Sequence, residues 1–425
     1  MAVRYDLDLL VCGGGPAGIA AAIAGARSGL RTGLVEWHGF LGGSRTAVGV
    51  DTFYGFWTPG EEARPVVGGI GLEIVERVLA AGAFRRMNTY GAGPGVTYDT
   101  ELLKLQLDEL ALEADVQLHY HSIVIGVEPL EEGWLVELAG ATSGTRQVTA
   151  RYLIDATGDA TAAGHAGAEF TNAYEEGLAQ GLTTIFFMAG VDVETAMSVS
   201  HAERSAMIAE ADRSGAYRLP RHEGSLHRTP HPGVLQANIV RVSGIDATDP
   251  AALTRAEIEG RKQAYEYLRF FRDRLPGCEN AYIIWMSHQI GIRETRRIVG
   301  LAKVVESDVL EGRRDDQGIA LCAAPIEDHK ANSTDTRWQH VGGDGIYSIP
   351  YGSLVPRGLD SLWVAGRCIS ASHAAQASLR NAAQAFATGE AAGRAAALAK
   401  ETGSTAADLD VAELRRRIVE AGGIL

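Results

Sequence analysis

A short apolar run at residues 6–12 opens directly into Gly13-Gly14-Gly15-Pro16-Ala17-Gly18, and an alanine-rich stretch follows at 19–30. No other feature constrains the fold as tightly, because strand, glycine turn and helix in that order begin a βαβ unit. Gly13 makes the tight turn, Gly15 lets a pyrophosphate approach the backbone, and Gly18 lets the helix lie close to the strand. Pro16 and Ala17 sit in the first helical turn, where free N–H groups and the positive dipole end meet the same phosphates. A second apolar run at 31–35 ends in Glu36. An acid about twenty residues past the turn is placed to accept hydrogen bonds from an adenosine ribose, and it disfavours a 2′-phosphate. The segment predicts a dinucleotide-binding fold.

Length and charge narrow the setting. At 425 residues, two or three folding units are expected. A net charge of −14 argues against nucleic acid, whose binders need a basic footprint, and against a polybasic membrane anchor. No stretch approaches ~18 consecutive apolar residues, so no membrane partner is expected. The apolar run before the glycines is too short for a signal peptide. Cys12, Cys278, Cys322 and Cys368 are scattered, without the spacing of a disulfide framework, a zinc site or an iron–sulfur cluster. A cytoplasmic, metal-free protein is expected, with homo-oligomers left open. The 51 glycines exceed the usual share of ~7% and call for an explanation in backbone geometry.

The turn alone does not separate FAD from NAD. The rest of the chain does. Gly42-Gly43-Ser44-Arg45-Thr46 forms a second glycine-rich loop close to the first. A strand at 151–155 runs into Ala156-Thr157-Gly158-Asp159, and another at 361–365 runs into Gly366-Arg367. A helix-like stretch rich in alanine and glycine follows at 374–398. An NAD dehydrogenase has no reason to return to its nucleotide at 155 and 366, whereas a long flavin stretched across a domain does.

Five blocks carry a family resemblance: GGGPAGIAAAIAGARSGLRTGLVE (13–36), FLGGSRTA (40–47), LIDATGDA (153–160), GIRETRRIVG (291–300) and IPYGSLVPRGLDSLWVAGRCISASHAAQASLRNAAQAFATGEAAG (349–393). Together they resemble the FAD-dependent oxidoreductases of the two-dinucleotide-binding-fold superfamily, and more narrowly those related to fumarate reductase and succinate dehydrogenase flavoproteins. The resemblance implies an α/β fold in which a Rossmann-like FAD-binding domain, with a parallel sheet and a β-meander, carries an inserted mixed α+β substrate domain. Residues 1–165 and 341–425 would form the FAD-binding domain, and 166–340 the substrate or cap domain. Three departures matter. No CxxxxC of a disulfide reductase is present, no second GxGxxG marks a separate NAD(P)H domain, and Ala365-Gly366-Arg367-Cys368 replaces the pattern of aromatic hydroxylases.

Between these blocks, strands are expected at 116–125, 134–138 and 148–154 as the meander, and at 182–191, 233–243, 281–290 and 318–324 as a second sheet. Helices are expected at 192–214, at 251–275 after Pro250, and at 410–420. The segment 213–232, rich in histidine and proline, reads as a surface loop or lid. Its His222, His227 and His231 lack metal-ligand spacing. Asp51 and Asp159 suit helix or turn caps. Tyr54, Phe56 and Trp57 fit either a flavin wall or core packing.

A flavin supplies the redox chemistry, and the protein supplies orientation, electrostatics and any acid or base. A helix beginning near Ser378 would point N–H groups at the flavin's pyrimidine edge, which gives Ser378, Leu379 and Asn381, along with Gln376, a cofactor-facing role. Candidate catalytic residues are Arg293 and His288, Tyr351, and His373 with Arg380. An arginine clamps a carboxylate through two parallel bonds, and a histidine or tyrosine takes a proton as hydride leaves. The alternatives are a structural ion pair for Arg293 and a hydrogen-bonded, non-titrating histidine for His373. The expected activity is hydride transfer between a small organic substrate and flavin N5, with an anionic substrate left open. An oxygen-using flavin monooxygenase or oxidase, or a non-catalytic electron-transfer flavoprotein, are the competing readings.

Overall fold

The structure is a computed structural model and describes residues 6–87, 91–329 and 336–425. Its centre is a mixed sheet whose parallel strands run in the order Gln117–His119, Thr32–Val35, Leu7–Cys12 and Gly144–Asp155. Leu7–Cys12 is buried at nearly every position, as a parallel strand covered on both faces must be. Gly144–Asp155 serves two roles. Its residues 144–150 pair antiparallel with Trp134–Gly140, which in turn pairs with Ser122–Pro129, forming the meander. Its end, 153–155, lies parallel to Leu362–Val364.

Register places the site. Cys12 stands beside both Val35 and Asp155, and Asp155 beside Val364, so these strands finish level with one another. The glycine turn, Glu36, 156–159 and 365–367 therefore emerge along one edge of the sheet, at the carboxyl ends where α/β folds bind ligands.

The helix Pro16–Arg27 packs against Ala382–Thr402 through small residues. A Cβ at Gly389 would stand 2.0 Å from the Ala17 carbonyl oxygen, and one at Gly393 would stand 2.3 Å from that of Ala21. Close helix contact accounts for part of the glycine excess.

A second apolar cluster, holding Phe186, Leu235, Tyr267 and Phe271, backs an antiparallel sheet. Its strand order is Ser225–Arg228, Leu235–Asn238, Phe186–Ala189 and Tyr282–Met286. Four expectations need correction here. Gly318–Cys322 does not join this sheet; it is buried throughout, packs in the first cluster and pairs with Tyr347–Pro350. The stretch 192–214 is two helices, Val193–Ser198 and His201–Arg213, because Ser200 caps the second in a reciprocal box with Glu203. The run 116–125 splits at His121, whose φ of 54° turns the chain between two strands. The supposed loop 213–232 contributes the edge strand Ser225–Arg228, with Ser225, Leu226 and His227 all buried. Among the described residues no helix is long and apolar enough to cross a membrane.

Candidate active site

The three fingerprint glycines do different work. Gly13 has φ 103°, and a Cβ there would lie 2.5 Å from the Ala156 carbonyl oxygen; one at Gly18 would lie 1.8 Å from that of Gly13. Both positions are closed by protein. Gly15 is open, since a Cβ would meet only the Gly43 Cα at 4.0 Å, and Gly15 lines the cavity described below. The helix it begins carries no side-chain cap. Glu36 accepts from the Gly14 N–H at 2.7 Å and from the His38 N–H at 2.9 Å, and it too faces the cavity. A carboxylate with about four lone-pair sites keeps capacity for a ribose. An uncapped helix N-terminus, an open glycine and a held carboxylate fit the adenosine and pyrophosphate of FAD.

One cavity of 740 Å³ runs from this turn to the second sheet. Among the expected cofactor residues, Gly13, Gly15, Pro16, Ala17, Glu36, Gly43, Ser44, Arg45, Ala156, Thr157, Gly158, Asp159, Gly366, Arg367 and Asn381 line it. Gly18, Gly42, Thr46, Ser378 and Leu379 stand behind the wall. Thr46 donates to the Leu41 carbonyl, and Ser378 donates to that of Ala324. The long helix begins at Ala382, not near Ser378, which lies in the separate short helix His373–Leu379. Asn381, Ala382 and Ala385 bring that long helix's uncapped start to the cavity. Asp159 pairs with Arg367 at 2.6 Å and accepts from the Thr295 hydroxyl.

The far end is dominated by guanidinium groups. Arg221, Arg293 and Arg380 line it, and among the described residues none of the three forms an ion pair. Arg293 donates to the Gly181 carbonyl, Arg380 to the Glu327 carbonyl at 3.0 Å, and Arg221 to the Asn238 carbonyl at 3.2 Å. The Nε atoms of Arg221 and Arg380 are buried without a partner. Burial first, and then the neighbouring Arg221 and Arg380, push the Arg293 pKa well below its ordinary value. An arginine does not give up its proton in a protein, so three positive charges stand close together at this end of the cavity.

Glu327 and His329 stand among these cations. Burial opposes the charge on Glu327, but His329, Arg380 and Arg293 hold its carboxyl well below the carboxylate range. Burial, followed by Arg293, drives His329 well down, so its ring is neutral. Its Nε2 lies 2.9 Å from Glu327 Oε1, while its Nδ1 accepts from Arg241 and meets the Thr336 hydroxyl. Tyr54 donates to the other Glu327 oxygen at 3.2 Å.

Of the expected catalytic residues, the fold brings Arg293 and Arg380 to the cavity and leaves three outside. His373 sits between Glu294 Oε2 at 2.7 Å and Asp328 Oδ1 at 3.2 Å. Tyr351 donates to the Ala406 carbonyl and accepts from Trp363 Nε1, both at 2.8 Å. His288 is exposed beside Phe40 and Trp285. The supposed surface histidines each meet a different carboxylate: His222 meets Asp212, His227 meets Asp51, and His231 meets Asp99. Sequence reasoning missed Arg221, Glu327 and His329. The Glu-x-His and Ser-x-His spacings at 327–329 and 225–227 were the available signal, because period two puts such pairs on one face of a strand.

The fold and this site define a flavin-binding oxidoreductase. The sequence profile of the FAD dependent oxidoreductase family matches residues 8–418, and the chain belongs to that family; its cofactor is FAD. No curated protein matches it in sequence. Among solved structures it is similar in fold to a triple mutant of the flavin-dependent brominase Bmp2, at 14% identity and a TM-score of 0.50 over 97% of this chain and 84% of that one. A p-nitrophenol 4-monooxygenase from Pseudomonas putida DLL-E4 aligns at 12% identity and 0.49, covering 97% and 85%. A geranylgeranyl bacteriochlorophyll reductase-like protein from Thermoplasma acidophilum aligns at 14% and 0.46, covering 97% and 82%.

Proposed function

We propose that this FAD-dependent oxidoreductase transfers hydride between the flavin and a small carboxylate bound by Arg293, Arg380 and Arg221. The observation that carries the reading is the set of three cavity-lining guanidiniums without an ion pair among the described residues, set against the single carboxylate of Glu327. Glu223, the other nearby acid, is taken up by Arg241 at 3.2 Å. Leaving such charge buried and uncompensated costs several kcal/mol, which a bound anion recovers.

Bound FAD supplies a two-electron carrier. The turn at 13–18 and Glu36 hold its adenosine half, and 43–45, 156–159 and 366–367 follow along the cavity. The start of the helix Ala382–Thr402 offers N–H groups and a positive end, which suit negative charge on a reduced ring. Neutral His329 donates to Glu327 and so fixes a carboxylate that feels the charge of Arg380 and Arg293 without pairing with either. In this reading 166–340 forms the substrate side, between the two FAD-binding parts at 1–165 and 341–425. The relation to fumarate reductase and succinate dehydrogenase flavoproteins rests on the sequence blocks alone and accords with an anionic substrate.

The test is an anaerobic screen in which small carboxylates and their methyl esters are added to the purified yellow protein. Loss of the visible flavin band with acids but not esters supports the reading, and bleaching by esters alone overturns it. Mixing the reduced protein with air then separates a dehydrogenase, which reoxidises slowly, from an oxygen-using enzyme.

A further inference from the structure

The second sheet places another set of polar groups on the cavity wall. Ser225 and His227 are two residues apart on the edge strand Ser225–Arg228, so their side chains share one face. His227 Nε2 lies 3.1 Å from the Ser225 hydroxyl, and Nδ1 lies 3.0 Å from Asp51 Oδ1. Asp51 comes from the other apolar cluster's side of the chain, 176 residues earlier, and its side chain is 0% exposed. Its Oδ2 is buried with no hydrogen-bond partner. Ser225 and His227 both line the cavity.

The proton positions follow from the chemistry of the partners. A carboxylate only accepts, so Nδ1 carries the hydrogen toward Asp51, and Nε2 is left to accept from the serine hydroxyl. The chain of bonds thus runs inward from the cavity: Ser225 O–H to His227, then His227 N–H to Asp51. His329 does not offer this, because its Nδ1 accepts from the Arg241 guanidinium, a donor that gives up no proton.

We propose that Asp51, His227 and Ser225 form a proton relay opening on the cavity, and that the substrate is a hydroxycarboxylate whose hydroxyl proton this relay accepts. The proposal rests on the carboxylate reading above and adds the second functional group. Placement supports the pairing. Asn238 stands opposite Ser225 in the strand register, and its carbonyl and side-chain oxygens accept from Arg221 at 3.2 and 3.4 Å. The anion-binding end and the relay are therefore neighbours, as a carboxylate and a hydroxyl a few carbons apart require. In the reaction the carbinol C–H bond breaks, and its electron pair leaves with the hydrogen to FAD, which is reduced. The hydroxyl proton passes to the Ser225 oxygen while Ser225's own proton passes to His227 Nε2. The carbinol becomes a carbonyl, and the imidazolium left behind faces Asp51. Asp51 is a positioning residue in this scheme, and Ser225 touches substrate.

The test uses FAD-loaded protein and its Ser225→Ala, Ser225→Thr, His227→Gln and Asp51→Asn variants. The probes are lactate, malate and 2-hydroxyglutarate, with propionate, succinate and glutarate as the matched acids lacking the hydroxyl. The matched acids should perturb the flavin absorbance with dissociation constants within twofold in wild type and Ser225→Ala. A hydroxy acid should bleach the wild-type flavin, and Ser225→Ala and His227→Gln should slow that step by about 10²–10⁴-fold, the usual contribution of a positioned base. Ser225→Thr, which keeps the hydroxyl, should restore part of the rate. Independently of turnover, ¹⁵N spectra of histidine-labelled protein should show His227 protonated at Nδ1, with an Nε2 signal that moves in Ser225→Ala. An Nε2–H tautomer overturns the relay, as does bleaching of Ser225→Ala at the wild-type rate. Matched acids that bind while no hydroxy acid bleaches overturn the relay and leave the carboxylate reading standing. Failure of every carboxylate to perturb the flavin removes both.

Discussion

Replacing His373 by glutamine should cost stability, and the cost should vanish in alkali. The imidazole bridges Glu294 and Asp328, whose side chains are 0% and 4% exposed. Burial by itself would lower its pKa, but the Asp328 and Glu294 carboxylates, the second hydrogen-bonded to Nδ1, outweigh that and push it up to about 9. Against ~6.5 in the unfolded chain, and with about 1.4 kcal/mol for each tenfold change in proton affinity, the charged bridge contributes about 3 kcal/mol. The sign follows from the raised value. The contribution is complete below about pH 6.5, falls as pH rises, and is gone once pH passes well above 9. With an unfolding entropy near 2.1 cal/mol/K per residue, the chain loses about 3 °C of Tm at pH 6. The assay is a set of thermal and urea melts of wild type and His373→Gln at pH 6, 7.5 and 9.5, with flavin reduction measured on the same samples. The difference should shrink steadily across the series while the folded variant still turns over. A difference independent of pH would refute the ion-bridge argument, and an unchanged Tm with lost turnover would return His373 to the active site.

Four further outcomes are expected. Arg293→Lys keeps the charge but loses the planar fork, so it should mainly hurt turnover or KM; Arg293→Ala should cost about 2–5 kcal/mol in kcat/KM. A large melting shift with normal kinetics would instead make Arg293 structural. Gly15→Ala should fold normally, since its Cβ meets only Gly43 at 4.0 Å, yet bind FAD poorly; equal FAD retention would contradict the pyrophosphate placement. Gly13→Ala should fold badly, having a φ of 103° and an obstructing carbonyl at 2.5 Å, which soluble yield and melting temperature would show. Glu36→Ala should weaken FAD by about 1.5–3 kcal/mol for each charge-assisted bond lost, read as cofactor released on dilution. FMN in place of FAD in a heat extract would undo the ribose assignment altogether.

What was legible in the sequence was whatever chemistry ties to local spacing. The turn at 13–18, the acid at 36 and the glycine blocks at 156–159 and 366–367 each follow closely on a strand, and the level strand ends bring them together. Arg293 and Arg380 lie in such blocks, and the fold brings both to the cavity. Histidine roles were not legible, because each is decided by a carboxylate remote in sequence. His227 reads as a loop residue, yet Asp51 meets it across 176 positions, and His373, a catalytic candidate by its block, stands between Glu294 and Asp328. Tyr351 carries an ordinary Ile-Pro-Tyr context, yet Trp363 and Ala406 consume its hydroxyl. The segment 318–324 shows the same limit for strands, since an all-buried apolar run does not reveal which sheet it will join.

The most direct measurement of the central claim is a flavin-absorbance titration of the oxidised protein with matched pairs of a carboxylic acid and its methyl ester, in wild type and Arg293→Ala. If guanidinium groups at the cavity's far end receive an anion beside FAD, acids should bind at least tenfold more tightly than their esters in the wild type, about 1.4 kcal/mol or more. Arg293→Ala should bring the two close together by weakening the acid alone. Esters that bind as tightly as acids, or an acid preference untouched by the loss of Arg293, would contradict the account.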